Sequence, residues 1–254
     1  MTNPDTDGPG GPWSLRLLGG IDLQGPDAAA AESVLVQPKH VALLAYLGVE
    51  AAAPRTRRFH RRDHLVGLFW PELDQPHARA SLRRVVHNVR TALGADLLVS
   101  RGDEELGLSE QALATDVGAF IAAIGKQQIA RALELYRGDL MPGFHLSGCA
   151  EFARWLDSRR DDLRQEAAAA AWVLAQRLES DAAFSLAGKA ARRAVQFSWD
   201  DERVLRHALN MLERLGDRSG ALRMFEEFSE RMRAEYDAAP SPETMALVNR
   251  LRAS

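Results

Sequence analysis

The stretch Asp63–Leu93, DHLVGLFWPELDQPHARASLRRVVHNVRTAL, constrains this chain more than any other. It reads as two helices joined by a tight turn. The first runs from Asp63, as N-cap, to Trp70, with Leu65, Leu68 and Phe69 on its buried side. Pro71 ends it, because the ring removes a donor and disfavours helical geometry in the residue before it. Asp74 offers a new N-cap, and Pro76 falls in the first turn, where a missing N–H is harmless. From there to Leu93 the period is helical, with Ala78, Leu82, Val85, Val86, Val89 and Leu93 on one side. At about 100° per residue, Arg79, Arg83, His87 and Arg90 share the adjoining sector, flanked by Arg84 and Asn88. A helix and tight turn followed by a helix with this polar face have the form of a helix-turn-helix whose second helix reads DNA.

A charged helix face is often no more than a solvated one. Two observations weigh against that here. No acid occurs between Gln75 and Gly94, whereas exposed helices usually mix signs. Residues 55–90 hold nine arginines against Asp63, Glu72 and Asp74, a local balance of +6 in a chain of net charge −3, so the remainder carries −9. Such asymmetry is what phosphate neutralisation requires.

The 254 residues suffice for two domains with cores of their own, and 46% hydrophobic with 26% charged residues is a globular composition. The single Cys149 excludes an internal disulfide and fits a reducing compartment. The opening MTNPDTDGPGGP has no apolar run, so residues 1–12 read as a disordered tail rather than a signal peptide. With no apolar stretch approaching a membrane span, no membrane is expected and the cytoplasm is the expected location. Trp13–Leu18 and Ser33–Gln37 read as short strands, Pro38 opens a helix with a broad apolar face, and Ala51–Arg62 reads as a basic loop. Leu97–Ser100 and Glu105–Ser109 flank Arg101–Gly102–Asp103 as a hairpin. Strands, three helices and a hairpin make a winged helix-turn-helix with a small antiparallel sheet and wing over residues 13–112.

Residues 113–254 read as all-α, with helices over Asp116–Ile124, Gln127–Tyr136, Cys149–Glu179, Phe184–Gln196, Asp201–Leu215, Arg218–Tyr236 and Ser241–Leu251. Two successive helix pairs of similar length, with Ala187, Ala190, Ala194, Ala208 and Ala221 at close-packing positions, have a tetratricopeptide-like pattern. The fold class expected is mainly α in two domains.

The ordered succession of motifs resembles the antibiotic-regulatory-protein family of bacterial activators, in which an OmpR-type winged helix precedes a bacterial transcriptional activator domain. Residues 65–93 are similar to the family's helix, Leu-Trp-Pro turn and recognition helix. Thr115–Asp116 with Phe120 resembles the start of the second domain. Tyr136, Gly138, Leu140, Pro142, Gly143, Trp155, Arg159 and Leu163 match a Y-x-G-x-L-L-P-G … W-x-x-x-R-x-x-L signature, and residues 216–244 resemble the last hairpin and its P-S-x-x-T helix start. The resemblance covers nearly the whole chain, from about Trp13 to Leu251. It implies a sequence-specific DNA-binding regulator, usually an activator, that binds promoter repeats as side-by-side protomers and contacts RNA polymerase. The DNA-contact candidates are Arg79, Arg83, Arg84, His87, Asn88 and Arg90, with Arg83 and His87 assigned to bases and Arg79 and Arg90 to backbone. Arg57, Arg58, Arg61 and Arg62 are candidates for phosphate contact from the loop, which is equally compatible with plain solvation. The wing tip departs from the pattern: Asp103, Glu104 and Glu105 stand there, and Arg101 is its one cation.

Other chemistries find little support. No phosphate-binding loop, nucleophile elbow or His-Glu-x-x-His pair occurs. His60 with His64, and His145 with Cys149, have the i,i+4 spacing of helical metal ligands but lack third and fourth partners nearby. No enzyme, metal or cofactor is therefore expected. The alternative is a helical-repeat adaptor or sensor that binds protein without specific DNA binding. The acidic wing favours that alternative, and the acid-free helix face opposes it.

Overall fold

The computed structural model describes residues 13–53 and 58–253. The tail expected over 1–12 and the candidate Arg57 lie outside the described residues. The chain divides into two compact units between Asp161 and Asp162.

The first unit contains β1 (Trp13–Arg16), β2 (Asp22–Gln24), α1 (Ala28–Leu35), α2 (Pro38–Ala52), β3 (Phe59–Arg61), α3 (Arg62–Phe69), α4 (Gln75–Leu93), β4 (Leu98–Arg101), β5 (Glu105–Leu108), β6 (Leu113–Thr115), α5 (Asp116–Gly125) and α6 (Ile129–Leu135), and it includes the start of α7 (Ala150–Ser180). Its core is organised on α2, in which every residue from His40 to Glu50 is buried. A three-stranded sheet of order β3-β5-β4 forms the wing, with Leu98 opposite Leu108 and Arg101 opposite Glu105.

Three expectations need correction. Ser33–Gln37 is not a strand, because α1 occupies Ala28–Leu35. Asp27 caps it by accepting from Ala29 N and Ala30 N, and the alanine run, the best helix former, carries it forward. Asp63 is not the cap of the next helix; α3 starts at Arg62, and Asp63 lies in its first turn. The N-terminal sheet is mixed rather than antiparallel: its order is β2-β1-β6, with β6 parallel to β1. Strands β2, β3 and β6 span three residues each, too few for a two-residue period to register in sequence.

Motifs of the expected second domain are built into the first unit. The carboxylate of Asp116, at the start of α5, accepts from Leu17 N and Leu18 N, each at 2.9 Å. Leu18 bridges Leu140, Gly19 N donates to Asp139 O at 2.9 Å, and Met141 N donates to Leu17 O at 2.7 Å. Gly138 and Gly19 cross here, where a Cβ on Gly138 would stand 3.0 Å from Gly19 Cα. Glycine is required at this crossing on grounds of space. The packing division at residue 161 therefore falls well after the start expected for the second domain at residue 113.

The second unit holds the rest of α7 with α8 (Phe184–Phe197), α9 (Glu202–Arg214), α10 (Arg218–Tyr236) and α11 (Pro242–Ala253). Each of α8 to α11 packs against the next, and Ala187, Ala191, Ala194, Ala208 and Ala221 are fully buried. Small residues at those positions let helix axes approach closely. The Glu202 carboxylate accepts from Ser241 N at 3.0 Å and from the Thr244 hydroxyl, fixing the start of α11 against α9.

Candidate nucleic-acid interface

Helix α4 is held by its neighbours on three sides. Ala78, Leu82, Val85, Val86, Val89 and Leu93 bury its inner face, and Asp74 caps its N-terminus by accepting from His77 N at 3.0 Å. Near its start, Arg79 donates through Nε and Nη2 to Asp63 Oδ1 of α3, at 2.9 and 2.6 Å, and stands 3.7 Å from Glu104 of the wing. Near its end, Arg90 donates through Nε and Nη2 to Leu98 O of β4, at 3.0 and 2.6 Å. Two of the six candidates on α4 thus tie the helix to α3 and to the wing.

The other four, Arg83, Arg84, His87 and Asn88, are exposed on the outer face, and among the described residues none makes a side-chain hydrogen bond or ion pair. Arg84 and Asn88 also line a shallow groove of about 540 Å³ shared with Lys39 and His145.

Beside this face the cations crowd one another. Arg62 Nη2 and Arg90 Nη2 both donate to the Ser100 hydroxyl oxygen, each at 3.1 Å. Burial first, then the neighbouring Arg90, and more weakly Arg83, lower the Arg62 pKa, while Asp103 and Glu104 oppose them. The remaining described candidates are tied within or beside the wing. Arg58 pairs with Glu110, and Arg61 lies 4.0 Å from Glu104. Arg101 lies 3.4 Å from Glu105 and 4.0 Å over the Phe59 ring. Ser100, where the crowd meets, carries no signal in sequence.

The signature residues of α7 have a different role. The buried Glu50 of α2 accepts from Trp155 Nε1 at 2.8 Å and from Arg159 Nε and Nη2 at 3.0 and 2.8 Å. Tyr46 packs beside them, its ring 4.9 Å from that of Trp155 and its hydroxyl 2.9 Å from His64 Nε2. Burial, with the Glu50 charge adding and Arg159 opposing, pushes the Tyr46 phenol up to about 12. Arg160 donates to Leu140 O and Met141 O at 2.9 and 2.7 Å. The signature thus locks the start of α7 onto α2 and onto the Gly138–Gly143 segment. A faint signal for Glu50 exists in sequence, since it is the lone acid in the apolar helix 38–52.

The two i,i+4 pairs do not share a helix: His60 is in β3 and His64 in α3, while His145 and Cys149 precede α7. Cys149 is buried and its thiol donates to Phe69 O at 3.4 Å. Among the described residues no group of three or more His, Cys, Asp or Glu is placed to hold a metal ion, and no helix is long and apolar enough to cross a membrane.

The bacterial transcriptional activator domain model matches residues 104–252, more than half of the chain. The chain belongs to that family. That family is one of transcriptional regulators, in keeping with the resemblance drawn from the sequence motifs. Among solved structures, EmbR of Mycobacterium tuberculosis, in complex with a low-affinity phosphopeptide, is similar at a TM-score of 0.62 and 19% identity. The match covers 95% of this chain and 65% of EmbR, so this activator-domain protein spans about two thirds of that chain's length. A search of curated proteins finds no match. The signature at Trp155 and Arg159 lies inside the matched region, whereas α4 lies before it.

Proposed function

We propose that this chain is a sequence-specific, DNA-binding transcriptional activator that lays α4 in the major groove of promoter DNA. One observation carries the reading: an exposed, acid-free helix face of Arg83, Arg84, His87 and Asn88, anchored from behind by Arg79 and Arg90. Arginine and histidine donate to guanine O6 and N7, and asparagine pairs with adenine, so Arg83, His87 and Asn88 read bases. The crowded Arg62 and Arg90 suit a backbone phosphate, since an anion relieves the mutual repulsion of cations held together by Ser100. The helical unit meets RNA polymerase or a neighbouring protomer on repeated half-sites, as the family resemblance implies, and the protein works in the cytoplasm.

A second reading, a helical-repeat adaptor without specific DNA binding, draws on the acidic wing, where Glu104 lies near Arg61 and Arg79. The deciding experiment captures genomic fragments with the full chain at physiological salt, alongside Arg83→Ala. Enrichment of a few promoters with a repeated half-site, lost in Arg83→Ala, supports the regulator reading. Indiscriminate capture shared by both proteins reduces it to nonspecific electrostatics, and no capture favours the adaptor.

A further inference from the structure

The helical unit carries a groove of about 310 Å³ between α8 and α10, at the far side of the sequence from α4. Its floor is apolar, made by the buried Val195, Met224 and Phe228. Its rim is basic: Arg192, Arg223 and Arg231 line it, against the single lining acid Glu227. Arg192 is committed to Asp217, the N-cap of α10, and a Cβ at Gly220 would overlap the Arg192 guanidinium. Arg223 and Arg231 are exposed and make no ion pair among the described residues, although the Arg223 charge reaches Asp217 and helps hold its pKa down.

The spacing of those two arginines defines a ligand. Eight residues apart on one helix, they stand about 12 Å apart along its axis. An extended chain rises about 3.3 Å per residue, so it covers that span in about four residues. Arg231 is already placed, since its guanidinium lies 4.1 Å over the Trp199 ring, which stacks at 12° on Tyr236. A cation held in this way loses less freedom when it meets an anion.

We propose that the α8–α10 groove binds an extended acidic segment of a partner protein. Two of its carboxylates, four residues apart, meet Arg223 and Arg231, and an apolar side chain between them rests on Val195, Met224 and Phe228. The partner's chemistry follows from charge complementarity, and the proposal stands whether or not α4 binds DNA.

The test uses the full chain and a fluorescein-labelled peptide, Gly-Glu-Thr-Leu-Thr-Glu-Gly, read by polarisation. Arg223→Glu and Arg231→Glu are each expected to weaken binding about tenfold or more, the usual loss for a charged hydrogen-bond partner, and the double variant to abolish it. A peptide with Gln for both Glu is expected to bind at least tenfold more weakly. Both positions are exposed, so the variants are expected to melt with the wild type and to retain its affinity for duplex DNA. The proposal is overturned by no binding up to about 1 mM peptide, by equal affinity for the Gln peptide, by variants that bind as the wild type does, or by displacement of the peptide with duplex DNA.

Discussion

Two half-buried arginine sites in the first unit have different partners. At Glu50, Arg159 meets a buried carboxylate through two hydrogen bonds, with Trp155 adding a third. At Ser100, Arg62 and Arg90 meet one neutral hydroxyl, with Arg83 near and only the exposed Asp103 and Glu104 to offset them. The first arrangement is closed: charge and donors are satisfied inside the chain. The second is open, because a hydroxyl oxygen accepts hydrogen bonds without neutralising either cation. The signature shared with the family marks the closed node, and the open one stands beside the proposed reading helix. One arginine site ties elements of the fold together, and the other is where the proposed reading places a backbone phosphate.

The largest expected effect lies at the closed node. Glu50→Ala removes the buried carboxylate that Arg159 and Trp155 share, and removing one partner of a buried pair typically lowers stability by about 3–5 kcal/mol. Urea unfolding with an unchanged slope checks this, and a loss below about 1 kcal/mol would erase the contrast between the two sites. At the open site the expectation reverses. Arg83→Ala leaves urea stability within about 0.5 kcal/mol of wild type yet weakens operator binding by about 1–3 kcal/mol, roughly 5- to 150-fold.

Arg90→Ala sharpens the comparison because this residue belongs to both worlds. It loses its two bonds to Leu98 O, so stability falls by about 1 kcal/mol. It also loosens the wing against α4, so specific and nonspecific DNA binding weaken together. If only stability moves, Arg90 is structural alone. Arg62→Ala is gentler still: it relieves like-charge crowding and leaves stability near wild type. Each phosphate contact contributes about 0.9 to the slope of log affinity against log salt, and the variant is expected to lose one such contact. An unchanged slope would remove Arg62 from the interface.

The sequence showed the helices more readily than the sites. Periodicity and proline placed α4 within a residue, and the cap at Asp74 marked its start, because those signals are local. Three-residue strands and the parallel β1–β6 pairing are non-local and stay hidden. Candidate selection had a similar limit. A helical wheel puts Arg79, Arg83 and Arg90 on one face, but whether a guanidinium faces solvent or an acceptor depends on what the fold brings to it. Asp63 comes from the preceding helix and Leu98 O from a strand, and neither partner is written in the spacing of α4.

The smallest effect comes from a third kind of buried polar group, one with neither a counter-ion nor a crowd. His40 of α2 is buried, and its Nδ1 has no hydrogen-bond partner among the described residues. Burial lowers its pKa from the ordinary 6.5. Below pH 6.5 the unfolded chain therefore takes up a proton that the folded chain resists. Its contribution is fully present above pH 6.5 and is lost as pH falls toward the lowered folded value. His40→Gln is expected to flatten the fall in stability below pH 6.5, measured as urea midpoints at matched ionic strength, while leaving the curve above it parallel to wild type. Superimposable curves through the acid range would show that His40 protonates as freely in the fold as out of it. In that event the groove beside Arg84 is open enough to solvate a charge, and the contrast between closed and open sites would extend to the start of α2.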